Sequence, residues 1–124
     1  MDEKRILIID DEEMIVDILR RRFERMGFAV CTAQDGDEGI GVIENNDLDV
    51  VLCDIKMPNG ASGNEVLRAS KSRNPGTRFV AMSGQLMSDV SVRKLLEDGA
   101  DLFVKKPFPS LQETTEAIIR LVRA

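Results

Sequence analysis

A single carboxylate closes the apolar run in Val50-Val51-Leu52-Cys53-Asp54-Ile55-Lys56-Met57-Pro58. The run is too short for a helix and suits a buried strand, so Asp54 falls where that strand should stop. Ligands of an open parallel sheet bind in the crevice beyond the carboxyl ends of its strands, and an acid at that point faces the crevice. A plainer use for the same residue is to start an Asx-turn. Other strand-like runs end in groups of related chemistry: Ile6-Leu7-Ile8-Ile9 in Asp10 and Asp11, Phe79-Val80-Ala81-Met82 in Ser83, and Leu102-Phe103-Val104 just before Lys106. Carboxylates gathered at one edge repel one another, and a divalent cation relieves the repulsion. Oxygen-only ligands with room for water suit Mg²⁺. A carboxylate can also attack phosphorus and form an acyl phosphate, provided that metal and a cation spread the charge on the phosphoryl oxygens. Lys106 is the candidate cation, and the Ser83 hydroxyl can donate to a phosphoryl oxygen.

These residues need a scaffold that brings strand ends together, and the rest of the chain supplies one. After the first strand, Met14, Ile15, Ile18, Leu19, Phe23 and Met26 recur at helical spacing, with Arg20, Arg21, Arg22 and Arg25 late in the helix and Gly27 as its stop. Phe28–Ala33 reads as a second strand, and Asp35-Gly36-Asp37-Glu38 opens a helix weakened by Gly39 and Gly41. Pro58-Asn59-Gly60-Ala61 is loop, and Ser62-Gly63-Asn64-Glu65 has the spacing of a capping box that starts a helix burying Val66, Leu67 and Ala69. A helix over about Ser88–Asp98 follows the fourth strand, and Ser110-Leu111-Gln112-Glu113 is a second capping-box match ahead of the last helix. Five strands alternating with five helices imply an α/β fold with a parallel sheet covered on both faces.

Composition narrows the function classes. A chain of 124 residues makes one domain with one sizeable core, predicted over 1–124. It has no apolar run of membrane-spanning length and no apolar segment behind its charged start, so a soluble, cytoplasmic protein without membrane contact is expected. A formal net charge of −5 argues against direct nucleic-acid binding by this segment. The absence of histidine removes Ser-His hydrolysis, imidazole zinc sites and any phosphohistidine of its own. Cys31 and Cys53, each in a strand-like run and without metal-ligand spacing, read as small core residues.

The pieces Ile8-Ile9-Asp10-Asp11-Glu12, Cys53-Asp54-Ile55-Lys56-Met57-Pro58, Ala81-Met82-Ser83-Gly84 and Phe103-Val104-Lys105-Lys106-Pro107, in this order, resemble the receiver domain of two-component response regulators. The resemblance covers the whole chain. It implies a flavodoxin-like, doubly wound sheet of order 2-1-3-4-5 and a phosphorelay role, with Asp54 accepting a phosphoryl group from a sensor histidine kinase or phosphotransfer protein. It further implies that Asp11, Asp54 and the Lys56 carbonyl hold Mg²⁺, with Asp10 acting through bound water. Ser83 and Lys106 match the phosphoryl contacts, Pro107 matches a cis-proline, and Phe103 matches an aromatic switch that reshapes the surface of the fourth helix, fifth strand and fifth helix. Lys56 and Gln85 match positions that flank the approach of water and so tune the lifetime of the phosphorylated state. The output is a downstream protein or a fused domain, and Met1 reads as a natural start, which makes this a single-domain regulator or the first domain of a longer one.

Two features depart from the family pattern. The loop Asn59-Gly60-Ala61-Ser62-Gly63 is one residue longer than usual, and Gly84-Gln85-Leu86-Met87 lacks periodicity, which suggests a mobile segment. Two other readings compete. A metal-dependent phosphohydrolase with an aspartyl nucleophile needs a second acid two residues on, where Lys56 stands. A receiver-like binding module without phosphotransfer usually lacks an acid or the lysine, and here both are present.

Overall fold

The computed structural model describes residues 3–123, so Met1, Asp2 and Ala124, the ends of the predicted 1–124 domain, lie outside the described residues. Five strands and five helices alternate: β1 Arg5–Ile9, α1 Glu13–Arg25, β2 Ala29–Ala33, α2 Gly36–Asn45, β3 Val50–Asp54, α3 Gly63–Arg73, β4 Arg78–Ser83, α4 Asp89–Glu97, β5 Leu102–Lys105 and α5 Leu111–Arg123. All strand pairs are parallel, and the sheet order is β2-β1-β3-β4-β5. No helix among the described residues is long and apolar enough to cross a membrane.

The continuous apolar runs follow from burial on both faces. Alternate side chains of a strand point to opposite sides, so the sheet divides two cores. Ile6, Ile8, Val50, Leu52, Val80 and Met82 pack with Leu19 and Phe23 of α1 and with Ile118 and Ile119 of α5. Leu7, Ile9, Val51, Cys53, Phe79 and Ala81 pack with Ile43 of α2, Val66 and Leu67 of α3, and Leu95 of α4. At the carboxyl edge, Asp54 continues the Val50-Leu52 face, whereas Ser83 continues that of Phe79 and Ala81.

Local signals set the helix starts. Ser62 caps α3 in a complete capping box, accepting from the Glu65 amide while the Glu65 carboxylate accepts from the Ser62 amide. Ser110 Oγ accepts from the Glu113 amide at 3.1 Å, and Ser88 caps α4 through the Ser91 amide. The predicted apolar stripe of α1 is only partly covered. Leu19 and Phe23 are buried, but Met14 is 78% exposed and Ile18 and Met26 are also exposed. A helix lying on a flat sheet covers a narrow stripe, and Met14 sits in the first turn, beside a depression of about 420 Å³ between α1 and β2.

Candidate functional site

The strand ends converge as the sheet register requires. Asp10 follows β1 directly, and its amide donates to the Ala33 carbonyl of β2. Asp54 is the last residue of β3, paired with Met82 of β4. The Lys106 amide donates to the Ser83 carbonyl at 2.8 Å, which seats the start of the β5–α5 loop beside β4. The Lys106-Pro107 peptide is cis.

Both aspartates form Asx-type turns, and both keep an oxygen free to do more. Asp10 Oδ1 accepts from the Glu12 amide at 2.9 Å, and Asp54 Oδ1 accepts from the Lys56 amide at 3.0 Å. The second oxygen of each faces the Lys106 ammonium, at 2.8 Å from Asp10 and 3.1 Å from Asp54. Lys106 also reaches Glu12 Oε1 at 3.1 Å. Asp10, Asp54 and Lys106 are all buried, while the Glu12 side chain stays largely in solvent.

One ammonium therefore faces three carboxylates, and the balance is visible in the acidities. Burial raises the Asp10 pKa above the ordinary aspartate value, and hydrogen bonds from Lys106 and the Glu12 amide offset this only in part. Burial alone would lower Lys106, but its hydrogen bonds to Asp10 and Asp54 carry it above the ordinary lysine value. The lysine is held charged by several acids, whereas Asp10 has a single lysine to share. Cys53, fully buried and next to the negative charge of Asp54, has its thiol pKa pushed up and stays a protonated core residue. Cys31 is half-buried and free.

A cleft of about 790 Å³ opens over these groups, with Asp11, Glu12, Asp54, Lys56, Gln85 and Lys106 among its lining residues. Lys56 and Gln85 are exposed on its walls. Ser83 is buried, and its hydroxyl is engaged with its own loop: it accepts from the Gln85 amide at 3.1 Å and donates to the Gln85 carbonyl at 3.3 Å. Phe103 lies elsewhere, half-buried against the α2/α3/α4 core and lining a groove of about 760 Å³ with Leu86, Met87 and Leu96.

The acid group differs in one member from the set expected from the sequence. Among the described residues, Asp10, Glu12 and Asp54 bring oxygens within 4.8 Å of one another, while Asp11 is exposed on the cleft wall. Sequence reasoning missed Glu12. Its signal was the unbroken run Asp10-Asp11-Glu12-Glu13, which announces acids at the strand end without telling which side chains turn inward. The donor set is all oxygen and partly open to solvent, which fits a hard divalent cation such as Mg²⁺ and not a softer metal.

A doubly wound sheet of this order whose first loop carries acids, in place of a glycine-rich phosphate cradle, defines the CheY-like class of flavodoxin-like domains. The family is directly shown: residues 6–119 match the model of the response regulator receiver domain, and the chain belongs to that family. The response regulator SaeR of Staphylococcus aureus (strain USA300) is 35% identical over 103 residues, which are 83% of this chain and 44% of SaeR. The chain thus spans less than half the length of the curated relatives it matches. Among solved structures, a CheY-like receiver domain protein from Methanospirillum hungatei JF-1 superposes with a TM-score of 0.89 at 32% identity, covering 98% of this chain and 95% of the other. The CheX-CheY-BeF3-Mg²⁺ complex from Borrelia burgdorferi gives a TM-score of 0.85 at 27% identity, covering 95% and 88%.

Proposed function

We propose that this chain is a single receiver domain over 1–124 that accepts a phosphoryl group on Asp54 from the phosphohistidine of a kinase or phosphotransfer protein in the cytoplasm. The observation that carries the reading is the buried Lys106 ammonium held between Asp54 Oδ2 and Asp10 Oδ2 at the floor of the cleft. In transfer, an Asp54 oxygen attacks phosphorus, the P–N bond to the donor imidazole breaks, and the departing imidazole nitrogen takes up a proton from solvent. Lys106 neutralises charge on the phosphoryl oxygens from inside the protein, where its field is little screened. Ser83 exchanges its bond to Gln85 for one to a phosphoryl oxygen. Phe103 shares the sheet face of Ser83, since it pairs with Ala81, so a shift of Ser83 is felt in the groove beside α4.

Asp11, Asp54 and the Lys56 carbonyl would hold Mg²⁺, with Asp10 acting through water. When bound, Mg²⁺ offsets the repulsion of the carboxylates and draws charge from the phosphoryl oxygens. The Borrelia CheY, which was solved with BeF3 and Mg²⁺, supports the same ligand chemistry here. SaeR, a response regulator of which this chain spans less than half, supports a downstream output that is a fused domain or a separate protein.

Incubation with acetyl phosphate and Mg²⁺, followed by intact mass measurement, should show one added phosphoryl group per chain, and Asp54→Asn should show none. A phosphoryl group that persists at this site in the Asn variant refutes the assignment. Continuous phosphate release without a labelled state favours the phosphohydrolase reading instead.

A further inference from the structure

The β3–α3 loop, which carries Lys56 and the cleft wall of Met57 and Pro58, is tied at its far end to the first turn of α2. Asp35 already caps α2, its Oδ1 accepting from the Glu38 amide at 2.8 Å. The Asp37 carboxylate is therefore free to serve another segment. Its Oδ1 accepts from the Ala61 amide at 3.1 Å, and its Oδ2 lies 2.9 Å from where a Cβ on Gly60 would stand. Gly60 has φ +76°, a backbone state that turns the chain at that point. Beside it, the Ala61 carbonyl rests on Gly36 so closely that a Cβ there would come within 2.0 Å of the oxygen. Ala61 is buried, although Pro58, Asn59 and Gly60 just before it are exposed. At the near end, Lys56 is fixed by the Asp54 carboxylate.

We infer that Asp37 is a positioning residue for the Asp54 site: with Gly36 it clasps Gly60 and Ala61 and so fixes where the Lys56 carbonyl and the Met57-Pro58 wall stand. The loop is anchored at Asp54, at half-buried Met57, which packs against the α2/α3/α4 core, and at the clasp, with exposed Pro58 and Asn59 between the last two. Loosening the clasp frees the span without touching any group that contacts metal or phosphoryl. The clasp also explains how a loop of this length keeps a defined shape. The plainer role, in which Asp37 merely fastens α2 to the loop, predicts loss of stability and nothing at the site.

The inference rests on the receiver reading, through the Mg²⁺ site for its first readout and through the phosphoacceptor for its second. Mg²⁺ affinity, followed by the Lys56 amide resonance, and the rate of labelling by acetyl phosphate are measured for wild type, Asp37→Ala and Asp37→Asn, alongside their melting temperatures. Asp37→Ala should weaken Mg²⁺ binding and slow labelling by about threefold to tenfold, as expected when only part of the lost hydrogen bond's worth is passed on to the site. Asp37→Asn keeps an oxygen for the Ala61 amide and should recover most of both. Wild-type affinity in Asp37→Ala, even with a lowered melting temperature, overturns the inference. Equal losses in the two variants overturn it as well, because they trace the effect to long-range charge. If wild type takes up no phosphoryl group, the proposed function fails, and the Mg²⁺ titration still decides the clasp.

Discussion

Lys106→Met removes the ammonium from the acid cluster while keeping most of the buried stem. The oxygens of Asp10, Glu12 and Asp54 lie within 4.8 Å of one another. At an effective dielectric constant of about 20, two unit charges at that distance repel by roughly 3–4 kcal/mol. Glu12 can swing into water and drops out of the sum, which leaves the buried pair of Asp10 and Asp54. Wild type carries the same repulsion, and the variant loses the Lys106 attraction that offsets it, so the expected loss is about 3–4 kcal/mol at pH 7, as for removing one partner of a buried ion pair. For a domain of this size that lowers the melting temperature by roughly 10–15 °C. The chain has neither Trp nor Tyr, so far-UV circular dichroism during urea and thermal unfolding is the assay.

The pH dependence has a definite sign. Asp10 has a raised pKa in the native state, so native protein binds its proton more tightly than the unfolded chain does. Its contribution to stability is greatest at low pH and is lost as pH rises through the native pKa. Lys106 is raised too, so its contribution is complete at neutral pH and is lost only in strong alkali. Without the lysine, Asp10 rises further, and lowering the pH from 7 to 5 should narrow the gap between variant and wild type. Millimolar Mg²⁺ should stabilise the variant more than wild type. A loss below about 1 kcal/mol at pH 7, or one unchanged at pH 5, refutes this account of the cluster.

If the exposed lysine on the cleft wall shields the phosphoryl group from water, Lys56→Ala should shorten the aspartyl-phosphate lifetime by about threefold to tenfold at fixed Mg²⁺. Gln85→Ala should change the lifetime less, since its backbone is what holds Ser83; an unaltered lifetime in Lys56→Ala removes the shielding role. At the opposite end of the sheet, Asp101 Oδ2 accepts from the amide of fully buried Phe79 at 2.8 Å and meets Lys71 at 3.5 Å, while its Oδ1 meets Arg78 at 3.4 Å. Asp101→Ala should cost about 2 kcal/mol by urea unfolding and leave Mg²⁺ affinity unchanged, and an altered affinity would show that the two sheet edges are coupled.

How much of this was legible in the sequence depended on how local the cause was. Strand ends at Asp54 and Ser83 follow from apolar runs that stop at a polar group, and the Ser62–Glu65 capping box formed as its spacing predicts. Strand order is a long-range property that no run of residues encodes, and it came only from the family resemblance. Periodicity overstated the covered face of α1, because a helical stripe records which side is apolar and not how wide a strip the sheet can reach; Met14 pays no large penalty in water. Glu12 and Asp37 were hidden for a related reason. Both are exposed acids in acid-rich stretches, and their roles depend on partners far along the chain, Lys106 and Ala61.

The alternation of side chains along β3 also makes the placement of Asp54 a matter of parity. Asp54 shares a sheet face with Leu52 and Val50, so one residue inserted into the strand ahead of it would bring Cys53 to the cleft in its place. An extra residue after it, in the loop toward Ser62, leaves that address unchanged. Length can therefore drift on the downstream side of the acid and not on the upstream side. Over evolutionary time such a domain is free to remodel the wall around its reactive group while the group itself stays in register.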